Sequence, residues 1–357
     1  VQGLRGIFLV VHSFMLRSRL GYICLLTVLT TMSAVLSYRV GANEDELGET
    51  PPEQKAAMDA LTGIASNIQT NRDGTVRFVR FSKAKVGDEH LGQIKVFKQI
   101  DYLAIVTDTV TEKGLANIQD LVNLDSLILT NVPLTDEKIS LLSRLVKLDT
   151  LYLDNTRVTS NSLEAISRLK LLKTLCLADT AVSDKHLEHL VELESLECLI
   201  LDDTQVTGQA VSKLAKNKSL KSLSLNGARL QGASLANLSE CAQLEMLDLS
   251  RTDVTADQLS GLQESQSLRQ VILLGTKVQR EQLAALAEMM PQTRFTLEPA
   301  GAREESLFAR LLAGKPLQAA PRGPAIAPVN MDVDPSPSVK QRFADSVEEV
   351  PDFQRHV

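Results

Sequence analysis

A 24-residue period constrains this chain more than any other feature. Leu124, Leu148, Leu172, Leu196, Leu220, Leu244 and Leu268 stand at equal intervals, and most apolar positions between them recur at the same offsets. A fixed period in this range means supersecondary units that cannot bury an apolar face alone and must stack to share one. The clearest unit runs Leu148-x-x-Leu151-x-Leu153-x-x-Thr156-x-Val158-Thr159, then Leu163, Ile166 and Leu169. Its first half alternates, which suits a short strand. Its second half spaces apolar residues by three, which suits one or two helical turns. Strands spaced about 4.8 Å apart on one side and wider helical turns on the other force a curve. The expected fold is therefore an α/β solenoid with a parallel sheet on the concave side and short helices on the convex side.

Other segments bracket the repeats. Residues 1–42 read as a signal peptide or an N-terminal membrane anchor. Arg17 and Arg19 precede an apolar run from Tyr22 to Leu36, and Val40-Gly41-Ala42 offers small residues for cleavage. This stretch holds four arginines and no acid, so its removal would take the net charge from −6 to −10. Residues 43–73 read as an N-terminal capping helix, with Ala56, Met58, Leu61, Ile64, Ala65 and Ile68 at helical spacing behind Pro51 and Pro52. Asp73-Gly74 turns the chain into the strand Val76–Phe81. Residues 74–297 form the repeat domain, about nine repeats closed by a strand at Arg294–Leu297. Residues 298–357 are rich in Pro and Ala and are expected to form a largely disordered tail, one that continues in a longer native product or ends at a cut reading frame.

Within each repeat, Thr159 and its equivalents Thr111, Thr135, Ser183, Thr207 and Thr255 stand where a helix N-cap is needed. Acids such as Asp136 and Asp184 follow at once, where the helix dipole favours them. The pattern resembles the leucine-rich-repeat family, and the likeness covers roughly Thr75 to Leu297. Thr180-Ala181-Val182-Ser183-Asp184 is similar to repeats in exported proteins of planctomycete-type bacteria. Leu214-Ala-Lys-Asn217 and Leu238-Ser-Glu-Cys241 resemble the cysteine-containing subclass found in F-box proteins. The family's usual Asn is here Thr156, Thr180, Thr204, Thr252 and Thr276, whose hydroxyls can bond local backbone. Val132 and Ala228 interrupt that ladder. The sixth full repeat is the least regular, with Ala228, Leu230 and Gln231 in place of Thr, Val and Thr; it reads as a drifted repeat or a local site. Pro351-Asp-Phe353-Gln-Arg-His-Val357 resembles the lead-in to cytochrome segments of large planctomycete envelope proteins, but no Cys-x-x-Cys-His follows.

Residues between the strand leucines point to the concave face. The central column reads Ala104, Ile128, Tyr152, Cys176, Ile200, Ser224, Asp248 and Ile272. Apolar surface from Ile128 through Tyr152 and Cys176 to Ile200, exposed on a sheet, marks a partner site, with Asp154, Asp179, Asp202 and Asp203 as an acidic rim that selects basic groups. The alternative is that these β-formers merely stabilise the sheet. Candidate partner-binding residues are thus Ile128, Tyr152, Cys176, Ile200, Asp154, Asp202, Asp203 and Asp248.

The chemistry of known catalysts is missing. No Ser-His-Asp elbow, phosphate loop or nucleotide fingerprint occurs. His186 and His189 share a helical spacing that can hold a metal but more often lies on a solvated surface. The aspartates lack the spacing of a calcium loop. Four unclustered cysteines make no disulfide framework, and a net charge of −6 argues against nucleic acid. No cofactor is implied. The expected function is a non-enzymatic protein-interaction module of the bacterial envelope or secreted, with a protein or peptide as partner. The alternative is the recognition arm of a larger envelope protein, cytochrome-like or hydrolytic.

Overall fold

In the computed structural model, residues 48–82, 86–230 and 232–297 are described. Residues 1–47, 83–85, 231 and 298–357, which include the expected export segment and the expected disordered tail, lie outside them. Among the described residues, eleven strands, β1 Asn67–Thr70, β2 Val76–Phe81, β3 Tyr102–Val106, β4 Ser126–Thr130, β5 Thr150–Tyr152, β6 Thr174–Cys176, β7 Cys198–Ile200, β8 Ser222–Ser224, β9 Met246–Asp248, β10 Gln270–Ile272 and β11 Arg294–Thr296, form one sheet in chain order. From β3 to β11 each strand pairs with the next at a shift of 24 residues, so Leu127, Leu151, Leu175, Leu199, Leu223 and Leu247 stack side by side. These pairs are parallel, as a strand, helical turn, strand repeat requires. The chain is an α/β solenoid of 24-residue repeats, with a sheet along one side and short helical turns along the other.

The first pair departs from expectation. The capping helix α1 spans Pro52–Ala60, with Pro51 as N-cap and Pro52 at the first helical position, but it stops well short of Ile68. Gly63 adopts φ 79°, and Ile68 lies in β1, antiparallel to β2 across the Asp73-Gly74 turn. Six apolar residues fit a helix by spacing alone; β-pairing of Ile68 with Val79 outweighs a helix interrupted by Thr62-Gly63.

Between strands the chain makes short helical turns, several of the tighter 3-10 kind, such as Asp136–Leu142 and Leu187–Glu192. Inward leucines of strands and turns form one continuous core; Leu151, Leu163, Leu175 and Leu199 are fully buried. Thr159, Thr207 and Thr255 cap as expected, accepting from Asn161, Gln209 and Gln258 backbone N–H at 3.2, 3.3 and 3.4 Å. Thr135 makes no cap bond, and the turn after Ser183 begins only past His186. The acids serve the next repeat as well as their own helix. Asp136 accepts from Thr159 N–H at 2.7 Å, from the Thr159 hydroxyl and from the Ser162 hydroxyl. Asp184 takes Thr207 N–H at 2.8 Å and its hydroxyl at 2.5 Å. A carboxylate that receives a neighbour's N–H and O–H together ties two repeats, a stronger role than a dipole contact.

The threonine column behaves as expected: Thr156, Thr180 and Thr252 each donate at 2.6 Å to the carbonyl three residues back. Contact between adjacent turns falls to other groups instead: Asn155 N–H donates to Ala178 O at 2.9 Å and Asp179 N–H to Asp202 O at 2.9 Å, and the Asn155 side-chain amide donates to Asn131 Oδ1 at 2.5 Å. The irregular repeat keeps its register at β8, with Ala228 and Leu230 in the core, which fits drift.

Candidate functional site

Two side-chain faces leave each strand. Leu151 and Leu153 point into the core, while Thr150, Tyr152 and Asp154 point to the sheet's other side. Register then fixes the site. Ile128, Tyr152, Cys176, Ile200, Ser224 and Asp248 are partners on consecutive strands, one strand spacing, about 4.8 Å, apart. The next column holds Asp154, Ala178, Asp202, Asn226 and Ser250. The structure therefore brings Ile128, Tyr152, Cys176, Ile200, Asp154, Asp202 and Asp248 onto one face.

The apolar column is not exposed, which corrects the expectation of an open patch. Ile128 and Tyr152 are 1% exposed, and Cys176 and Ile200 are 0%. With Phe78, Tyr102, Ala104, Ala178, Cys198 and Met246 they form a second apolar cluster, distinct from the core between strands and helices. Phe78 and Tyr102 stack at 4.4 Å. Among the described residues, every member of this cluster comes from a strand or its immediate continuation. Large aromatic and β-branched groups side by side shed water from one another.

The acidic residues divide in two. Asp154, Asp202 and Asp248 are also buried, at 4–5% exposure, and each has donors. Thr130 donates its hydroxyl to Asp154 at 3.0 Å. Asp202 accepts from the Ser224 hydroxyl and, at 3.3 Å, from Asn226 N–H. Asp248 accepts Ser250 N–H at 2.8 Å. Burial, helped by the charge of Asp248, pushes the Asp202 carboxyl up to about 7, against which the Ser224 and Asn226 donors act. Burial likewise raises Asp248 and pushes the Cys198 thiol up to about 12. This end of the face is a desolvated acid pair that favours a proton or a cation.

Asp179 and Asp203 do not belong to that face, contrary to the sequence reading. Both sit at φ 54° and 52° in the turn that follows each strand. The turn column repeats every 24 residues as Asn131, Asn155, Asp179, Asp203, Gly227, Arg251 and Gly275, all with positive φ. Asn, Asp and Gly tolerate this left-handed conformation best, so their recurrence at one offset was a legible signal that the search for apolar spacing passed over. Arg251 is the exception in type. Its Nε donates to Asn226 Oδ1 at 2.8 Å, and its guanidinium pairs with Asp203. Asp203 is thus held from outside the face by Arg251.

The remaining candidates lie elsewhere. His186 and His189 stack at 5.9 Å on the helical side, and His189 contacts Glu192 at 3.0 Å. Among the described residues, no group of three or more His, Cys, Asp or Glu is placed to hold a metal ion. Among the described residues, Cys176, Cys198 and Cys241 form no disulfide with one another. Cys241 donates weakly to the Leu214 and Ala215 carbonyls at 3.7 and 3.5 Å, and Asn217, one period earlier, reaches Leu190 and Leu193 carbonyls. Among the described residues no helix is long and apolar enough to cross a membrane.

No protein-family model matches the chain, and no curated protein matches it in sequence. Among solved structures it is similar to an internalin from Listeria monocytogenes, at 17% identity and TM-score 0.48, covering 62% of this chain and 58% of that one. It is also similar to internalin C2 from the same organism, at 24% identity and TM-score 0.42, covering 69% and 93%. A third is the plant peptide hormone receptor RGFR1 in complex with RGF2, at 15% identity and TM-score 0.44, covering 64% and 40%. The chain spans less than two thirds of the length of the first of these. At such scores the likenesses carry no functional argument; the solenoid stands on its own 24-residue register.

Proposed function

We propose that this chain is a non-enzymatic interaction module of the bacterial envelope or secreted space, and that its concave face docks an apolar segment of a protein or peptide flanked by basic residues. The observation that supports the reading is the column Ile128, Tyr152, Cys176 and Ile200, continuous across four strands and bordered by Asp154 at one end and Asp202 and Asp248 at the other. The solenoid core does not need this column: the strand leucines already fill it. Aromatic and aliphatic groups clustered at the centre of a patch are the usual anchors of recognition, and buried carboxylates reward a matching cation more than exposed ones do.

The test is a fluorescence titration of the chain with two labelled peptides of the same leucine and valine core, one ended by arginines and one by glutamates. The reading expects the arginine form to bind more tightly, and Tyr152→Ser with Ile200→Ser to weaken it about tenfold or more. Equal affinity for both peptides, or unchanged binding by the double variant, would refute it.

A further inference from the structure

The solenoid has a second surface that its own folding does not account for. Among the described residues, Val122, Val146 and Leu171 are 41%, 56% and 54% exposed. They sit in the two-residue turns 122–123, 146–147 and 170–171 that lead into β4, β5 and β6. Buried leucines flank each turn, Leu121 with Leu124, Leu145 with Leu148 and Leu169 with Leu172, so the turn residues are the ones left facing outward. Turns in water favour polar residues, and the same turn in other repeats carries Lys98-Gln99, Glu194-Ser195 and Lys218-Ser219. Single exposed apolar residues are ordinary, but three on consecutive repeats make a strip of the kind that marks an interface. We propose that this strip, on the edge of the solenoid where the strands begin, joins a second copy of the chain in an antiparallel two-fold dimer centred on Val146.

Symmetry and charge select a second copy over other occupants. A two-fold axis running from the sheet side to the helical side reverses the order of the repeats and keeps their rows level. Val146 then meets the partner's Val146, and Val122, one repeat before, meets the partner's Leu171, one repeat after. The row of charges that opens the strands obeys the same geometry. Arg77 pairs with Asp101 at 2.9 Å, Lys173 with Asp149 at 3.5 Å and Lys221 with Glu197 at 3.0 Å. Among the described residues Asp125, in the same row, makes no ion pair. Burial, then the charges of Asp149 and Asp101, raise its carboxyl, with Lys147 and Arg77 opposing, so the fold leaves it short of a cation. Asp125 lies one repeat before the centre and Lys173 one repeat after it. The antiparallel copy therefore brings the partner's Lys173 to Asp125, twice across the axis. Lys147, whose ammonium reaches Asn123 Oδ1 at 2.8 Å, faces the partner's Asp149 at the centre. Asp125 and Asp149 against Lys147 and Lys173 balance in number, as a self-complementary surface requires. A strip three repeats long is small, so the dimer should form and dissociate with concentration. The contact uses the edge alone and leaves both sheet faces outside it, on the same side of the pair.

The test is sedimentation of the full chain across a concentration series, with paired variants. Val146→Glu should weaken dimerisation about tenfold or more and leave the circular-dichroism spectrum unchanged, as an exposed turn residue allows. Asp125→Lys alone and Lys173→Asp alone should each weaken it to a similar extent, because each sets like charges against one another at both ends of the contact. Mixing these two chains should restore association, since each then carries what the other lacks; a loss caused by misfolding would not be repaired by mixing. Under mild oxidation the Val146→Cys chain should form a disulfide that mass spectrometry maps between position 146 of two copies. In a mixture, Val122→Cys should cross-link to Leu171→Cys rather than to itself. A parent chain that stays monomeric at every concentration, a dimer indifferent to Val146→Glu, or charge variants that do not recover on mixing would overturn the proposal.

Discussion

Asp202→Asn isolates what desolvation does to the acidic end of the face. Asp202 is 5% exposed, and its carboxyl is pushed up from 3.8 to about 7. The folded chain therefore holds this proton more tightly than the unfolded chain does. As pH rises above about 4 the unfolded state ionises first, so stability falls by about 1.4 kcal/mol per pH unit until the folded carboxyl also ionises near 7, and then levels off. Asparagine cannot ionise and keeps an oxygen for the Asn226 N–H. The site also accommodates its shape, since Asn226 occupies the same position one repeat later. The variant should therefore be more stable than the parent, by about 1 kcal/mol at pH 4.5 and by roughly 4 kcal/mol at pH 8. Urea denaturation followed by circular dichroism at half-unit pH steps measures the gap directly. A gap that does not widen with pH, or a variant weaker than the parent at pH 8, would show that Asp202 is ionised and well solvated, and the account of a desolvated face would fail.

Other outcomes follow from the repeat itself. Asp136→Ala removes the acceptor of Thr159 N–H, Thr159 O–H and Ser162 O–H, and should cost about 2–4 kcal/mol in urea unfolding at pH 7. Burial opposes ionisation of that carboxyl, but the Ser162 and Thr159 donors prevail and hold it below its usual range; its contribution should thus be present above about pH 4 and be lost on acidification below that. Leu175→Ala, at a fully buried strand position, should cost about 2–5 kcal/mol by the same assay. Asp179, at φ 54° in the turn column, should accept Gly without loss of melting temperature, whereas Val there should cost about 1–2 kcal/mol.

The sequence made the solenoid legible because one period governs both its strands and its turns. Leu148, Leu151 and Leu153 name their own neighbours 24 residues away, and the register of Tyr152 with Cys176 and Ile200 follows without further information. The capping end was less legible. Ala56 to Ile68 fit a helix by spacing, and only pairing with Val79, a partner distant in sequence, decides that Ile68 is a strand. The site was legible in membership but not in environment. Alternation places Ile128 and Tyr152 opposite the core, yet no local pattern states whether that face meets water. The aspartates show the same limit. Asp202 and Asp203 are adjacent in sequence, but a single left-handed residue turns Asp203 out of the face and into the grip of Arg251.

The central claim is that the face carrying Tyr152 and Ile200 is where an apolar, basic-flanked segment docks. Photo-cross-linking tests it most directly, using the chain with benzoylphenylalanine replacing Thr150 on that face, or Glu164 on the helical side. The account predicts that the arginine-ended peptide cross-links from position 150 and not from position 164, and that unlabelled peptide competes it away. Cross-linking from position 164 alone, or equally from both, would contradict it.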